Sequence, residues 1–178
     1  MFIPKQTRLM TTLLVISIFA LVFLVGCSKA PTAPDNQKTT TLLKRSFAAS
    51  KILGESAYTE TIISADKGGA ITLHDVELYF PPDALDSDTL IFVNIPDLSV
   101  FANDFGTEGL IFNVPVRVTM NYRDADLSGI NETSIKMAWF NEGTGMWDII
   151  DCTLDQANKQ VIAEVEHFSA YALITDEQ

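Results

Sequence analysis

Histidine and cysteine are nearly missing from this 178-residue chain, which has two of each. His74 and His167 cannot furnish a His-rich zinc site, and two cysteines cannot build a disulfide framework. Lysine and arginine are also short, twelve against 23 Asp plus Glu, for a formal net charge of −11. A polyanion is held by releasing counterions to clustered cations. No such cluster exists, so nucleic acid is excluded as a partner, and the acidity serves solubility and affinity for cations. His74 is followed by Asp75 and His167 by Phe168-Ser169, but no nucleophile elbow accompanies either, which argues against an enzyme acting on an external substrate.

One long apolar run is present. Leu9 to Val25 carries no charge, follows Lys5 and Arg8, and ends at Gly26-Cys27. A positive n-region, an apolar h-region and a small residue before the break are what a secretory signal requires. Leu24-Val25-Gly26-Cys27 resembles the lipobox of bacterial lipoprotein signal peptides. The resemblance implies that residues 1–26 are removed, that the Cys27 thiol takes a diacylglycerol, and that the rest is anchored to a membrane of the cell envelope. Ser28, where an Asp would favour inner-membrane retention, resembles outer-membrane cargo. The alternative is an uncleaved span, since the run is only slightly shorter than the ~20 residues a bilayer core needs. Either way the remainder is tethered.

Loss of residues 1–26 takes away Lys5 and Arg8 and no acid, leaving ten cations against 23 anions and a formal charge of −13. With Cys27 lipidated, Cys152 has no partner in the chain. It lies in the strand-like stretch from Trp147 to Cys152, where a buried thiol acting as a small hydrophobe is expected rather than a nucleophile.

Residues 27–58 are expected to hold the lipidated cysteine, a spacer and a connector. Ser28 to Thr41 is rich in Pro, Thr and small polar residues, the composition of a flexible coil with a reach on the order of 20 Å. Leu42, Leu43, Phe47, Ile52 and Leu53 make a loose helical stripe, and Gly54 is placed to stop a short helix.

From Thr59 the pattern changes to short period-two runs separated by Gly, Pro, Asn and Asp, which predicts an antiparallel β-sandwich of about nine strands over residues 59–178. Val114, Val116, Val118, Met120 and Tyr122 share one face of the clearest strand, and Pro115 predicts an edge or strand-start position. Ile135, Met137 and Trp139 alternate with Lys136, Ala138 and Phe140. Asn141 to Gly145 is a hairpin loop into Met146 to Asp151. Val161, Ala163 and Val165 alternate with Ile162, Glu164 and Glu166, and Ala170 to Thr175 is the last strand. A domain of this size buries roughly two-thirds of its surface, enough for a core without metal or disulfides.

The order of motifs resembles the ZU domain, the β-sandwich named for zonula occludens and the uncoordinated-type netrin receptors. The residues that carry it are Gly68-Gly69; Val76 to Phe80 with Pro81-Pro82-Asp83-Ala84-Leu85; Phe112-Asn113-Val114-Pro115-Val116; Trp147 after a hairpin; and His167-Phe168-Ser169-Ala170-Tyr171-Ala172-Leu173. The family has Gly where this chain has Asp83, a residue that tolerates the left-handed region. The resemblance implies a protein-interaction or structural module, with an envelope or extracellular protein as partner.

Some ZU domains cut themselves between the Phe and Ser of such a tripeptide. Carried over, Ser169 is the nucleophile, Phe168 supplies the carbonyl, and His167 is the base or the clamp that strains the bond. The structural alternative is that His167 and Ser169 cap a strand junction while Phe168 and Tyr171 fill the core.

Asp124-Ala-Asp126-Leu-Ser128-Gly129 copies the first half of a calcium loop, but Ile135 stands where its bidentate Glu belongs, so a solvated turn is expected. Asp83, Asp86 and Asp88 are explained by capping. No metal and no cofactor are expected. A third function, glycan or peptidoglycan binding, requires Phe101, Phe105 or Trp147 to line one groove.

Overall fold

The computed structural model describes residues 40–107 and 109–176. The expected signal segment 1–26, Cys27 and the expected spacer up to residue 39 lie outside the described residues. Within them the period-two runs become strands: β1 Thr40–Leu42, β2 Ala57–Ile63, β3 Gly69–Leu73, β4 Val76–Phe80, β5 Thr89–Ile95, β6 Ala102–Gly106, β7 Ile111–Asn121, β8 Lys136–Asn141, β9 Met146–Ile149, β10 Thr153–Asp155, β11 Gln160–His167 and β12 Ala170–Asp176. One short helix, α1, spans Phe47–Leu53.

All pairings between these strands are antiparallel, and they form two sheets. One has the order β2-β5-β6-β12-β8-β9 with β1 also on β12, and the other the order β10-β11-β7-β4-β3. The two inner faces meet as a β-sandwich. Leu78, Val116, Val118, Met120 and Val161 from one sheet and Ile91, Val93, Ile95, Met137 and Leu173 from the other are fully buried in one core, with Phe101 just ahead of β6. Alternation explains most of this, because a strand with one buried face hides every second side chain. β12 departs from it: Tyr171 and Leu173 enter the core while Ala172 and Ile174 are buried on the opposite face, under Leu42, Ala102 and Trp147.

The sandwich has twelve strands where nine were expected, and the three additional ones have physical reasons. β1 and β10 are only three residues long, too short for a periodic signal. β6 reads Ala-Asn-Asp-Phe-Gly, a composition depleted in strands, and forms one because both neighbours supply ladders and Phe105 and Asn103 are buried. The sheet also reaches further toward the N-terminus than residue 59, since Thr40 to Leu42 pair with Asp176 to Ile174.

Pro115 is a correction. β7 lies in the interior of its sheet between β11 and β4, neither at an edge nor at its start. The β7–β11 register runs from Asn121 to Val116 and then shifts to Ile111 opposite His167, while the β4 ladder covers only Arg117 to Met120. Pro115, which has no N–H to give, falls in that gap, the irregularity at which a sheet accepts proline. The same irregularity exposes Val114, expected on the inner face.

The stripe from Leu42 to Leu53 is corrected as well. Leu42 belongs to β1, and Leu43 is buried in the core, with its N–H donating to Leu173 O at 2.8 Å and its own carbonyl accepting from Phe101 N at 3.0 Å. The helix begins only at Ser46, whose hydroxyl accepts from Ala49 N at 3.3 Å, and it stops at Gly54, φ +100°. That stop is where the sequence places it.

Candidate functional site

β11 belongs to the five-stranded sheet and β12 to the seven-stranded one, so the chain changes sheets across two residues, Phe168 and Ser169. The His-Phe-Ser tripeptide is this corner. A chain crossing a sandwich edge that tightly must dispose of its peptide groups locally. Phe168 N–H donates to Leu110 O at 3.1 Å, and Ser169 O accepts from Phe105 N at 3.4 Å. Tyr171 donates its hydroxyl to His167 O at 2.8 Å. Burial pushes the Tyr171 hydroxyl well above its ordinary range, which keeps it a donor.

Phe168 anchors the corner. Its ring meets Phe112 edge-on at 4.8 Å and Phe80 edge-on at 6.0 Å, and lies tilted 6.0 Å from Phe105. Edge-to-face pairs of this kind add to the area term because ring edges and faces carry opposite partial charge.

The corner forms one wall of an open cleft of about 540 Å³, whose other wall is the start of the β8–β9 hairpin with Trp139, Phe140 and Asn141. His167 stands edge-on to Trp139 with ring centres 5.0 Å apart, and its Nδ1 lies 3.3 Å from Phe168 O. Ser169 Oγ donates to Phe140 O at 3.0 Å. The tripeptide's polar groups are therefore brought together, but the contact of His167 is with the carbonyl oxygen and not with the serine hydroxyl. Only the tautomer with its proton on Nδ1 can donate to the Phe168 carbonyl there, which is the task an oxyanion donor would have. The serine proton points to a neutral carbonyl, which orders it without removing it. Non-glycine residues with left-handed φ among the described residues are His74, Asp83 and Lys159, none of them in the corner.

The sequence missed the partners that shape this cleft. Trp139 is expected only as a strand residue, and its contact with His167 depends on β8 and β12 becoming neighbours, whereas Tyr171, expected in the core, reaches back four residues to His167 O. Asp83 adopts φ +64° after the Pro pair, as its turn role anticipates.

A second cleft, of about 530 Å³, lies at the opposite end over Arg45, His74, Asp75 and Arg123. Beneath it Arg45, with a side chain 1% exposed, gives Nη2 to Asp75 Oδ1 at 2.8 Å and lies 4.0 Å over the Phe101 ring. Its Nε and Nη1 and Asp75 Oδ2 are buried without partners.

The remaining motifs are turns and ties. Ser128 holds the Asp126 carboxyl below the usual range, first through its side chain and then through its N–H, which donates to Asp126 Oδ1 at 3.0 Å. Asp86 accepts from Asn113 Nδ2, and Asp88 from Ala65 N. Among the described residues no three His, Cys, Asp or Glu converge as a metal site. Cys152 is half-buried, packs against the core and accepts Met137 N–H on its sulfur at 3.4 Å. The aromatic groove is a correction: Phe101 and Phe105 are buried in the core and Trp147 packs edge-on to Phe140, so these three rings line no common surface.

Compared with known proteins, the chain matches no family model and none of the curated sequences.

Proposed function

We propose that the chain is a lipid-anchored bacterial cell-envelope protein whose ZU-like β-sandwich serves as a protein-interaction module. The lipobox-like Leu24 to Cys27 supports the anchor, and Ser28 supports outer-membrane delivery. The observation that carries the interaction role is the edge of the seven-stranded sheet at β2, which among the described residues pairs in that sheet only with β5. β2 is a seven-residue edge strand without Pro or Lys, the residues that natural edges use to discourage pairing. Its outer face continues onto β5: Tyr58 stacks on Phe92 at 5.8 Å, and Ile62 stands opposite Leu90, at 68% and 49% exposed. An edge with apolar side chains beside it receives an extended segment by strand addition, with backbone hydrogen bonds for affinity and side chains for specificity.

Two measurements test this. The mass of the Cys27-containing peptide, from full chain expressed in a Gram-negative host, should begin at Cys27 and carry a diacylglycerol; a peptide running through from residue 26 without lipid refutes the lipid anchor. A photo-crosslinker at Ile62 in cells should give a discrete protein adduct that Leu90→Lys abolishes. Absence of any adduct counts against the edge.

Self-processing is kept as a second reading because His167 Nδ1 faces Phe168 O. Ser169 Oγ would bond to the Phe168 carbonyl carbon, the C–N bond would break with a proton passing to the amine, and water would then hydrolyse the ester. Intact mass under denaturing conditions decides it. A split between Phe168 and Ser169 that Ser169→Ala prevents establishes cleavage; one uncut mass for both chains removes it.

A further inference from the structure

Helix α1 shows its apolar side chains to the outside. At 100° per residue, Phe47, Lys51, Ala48 and Ile52 fall in that order within one arc of about 140°, and all four are exposed, Phe47 at 83% and Ile52 at 84%. Ala49, Ser50 and Leu53 occupy the opposite arc and are half-buried. A surface helix normally does the reverse, turning its large apolar residues inward.

The position of this helix says what it faces. β12 begins at the corner, at Ala170, and ends at Asp176, which pairs with Thr40. The chain therefore enters the sandwich about 20 Å from the corner, at ~3.3 Å per strand residue. β7 likewise starts beside His167 and ends at Asn121, and the carbonyl of Asp124 just beyond receives Ser46 N–H at 2.8 Å. Thus α1 lies at the end where the tether arrives, opposite the His167–Ser169 cleft. Twelve residues separate Cys27 from Thr40, a contour of at most ~45 Å.

Charge is divided the same way. Besides Arg45, which is buried on Asp75 and offers no charge to a surface, residues 28–54 hold Lys29, Lys38, Lys44 and Lys51 against Asp35 alone, whereas residues 55–178 hold five cations against 22 acids. An anionic lipid surface attracts the first segment and repels the rest. Asp124 and Asp126, next to Ser46 and Lys44, weaken the electrostatic share, so Phe47 and Ile52 carry the larger part.

We infer that α1 is a membrane-seating element: its Phe47–Ala48–Lys51–Ile52 face rests in the headgroup layer of an anionic bilayer and points the His167–Ser169 cleft away from the lipid. The inference rests on the anchored-protein reading.

The test uses the full chain reconstituted into phosphatidylglycerol/phosphatidylcholine vesicles with brominated acyl chains. Phe47→Trp should lose emission relative to the same protein in unbrominated vesicles, and Ile111→Trp, 75% exposed in the native chain beside the corner, should keep it. Adding Ile52→Ser to Phe47→Trp should lower the seated-to-free ratio about tenfold. Adding Lys44→Gln and Lys51→Gln should lower it about fivefold per lysine. Equal quenching at 47 and 111, no quenching at 47, or a blue shift at 47 that needs no lipid and rises with protein concentration overturns the seat; the last would make a second copy the occupant. The Cys27 peptide mass is independent of all of these, so an unlipidated chain refutes the lipid anchor and an unquenched Phe47→Trp refutes the seat.

Discussion

Replacing Arg45 should be among the most damaging single changes in this protein. Its guanidinium is almost wholly removed from water, yet it makes one charged hydrogen bond, 2.8 Å to Asp75, while Nε, Nη1 and Asp75 Oδ2 have none. Arg45→Met keeps most of the packing against Phe101 and strands the Asp75 carboxylate, whose side chain is 13% exposed. Breaking one side of such a pair costs about 3–5 kcal/mol, because the remaining charge loses its compensation. At roughly 2–4 °C per kcal/mol, Tm should fall by on the order of 10 °C. The double variant Arg45→Met with Asp75→Leu removes both charges and all three orphaned atoms, and replacing a poorly satisfied pair by apolar groups is neutral or stabilising by about 1–4 kcal/mol. Urea unfolding of the wild type, both single variants and the double variant, followed by tryptophan fluorescence, closes the cycle. The reasoning fails if Arg45→Met melts with the wild type, or if the double variant is less stable than either single one.

Three further outcomes follow from the structure. Phe168→Ala should cost about 3–5 kcal/mol, since it empties the contact of four aromatic rings at the corner, whereas Phe168→Leu should cost clearly less; thermal melts compare them. Gly68→Ala should destabilise by more than the ~1 kcal/mol of an ordinary backbone effect, because φ is +67° and the new methyl would stand 2.1 Å from Phe80 O; Gly54→Ala, at φ +100° but in open space, separates strain from collision and should cost less. The Glu132 carboxyl is held below its ordinary range, chiefly by the Lys159 ammonium and then by the Tyr122 hydroxyl. A carboxyl lowered in the folded state contributes stability that is complete above its unfolded pKa and disappears as pH falls through the folded value. Glu132→Gln should therefore flatten the acid side of a Tm-versus-pH curve without changing its shape near neutrality, and an unchanged acid side would remove Glu132 from the account.

Much of the sandwich was determined by sequence alone, because a strand with one buried face must repeat every two residues. Val116-x-Val118-x-Met120 and Val161-x-Ala163-x-Val165 are buried as their alternation requires, and Asp83 and Gly54 take positive φ where a turn and a helix end demand it. Local pattern could not supply what depends on which strands become neighbours. Pro115 could be placed in a ladder gap only once β4 and β11 flanked β7, and Asn103 and Asp104 became strand residues only through the ladders on either side. The His167-Phe168-Ser169 string was visible as a motif, but its geometry came from the change of sheets, which puts Nδ1 on the Phe168 carbonyl and Oγ on Phe140. Charge composition was likewise in the sequence, whereas the tertiary structure decided that Arg45 is buried on Asp75 and that Phe47 and Ile52 face outward at the end where Thr40 joins the sheet. Composition and periodicity are local sums, while a partner, a gap or an outward face is a property of chain segments brought together from far apart.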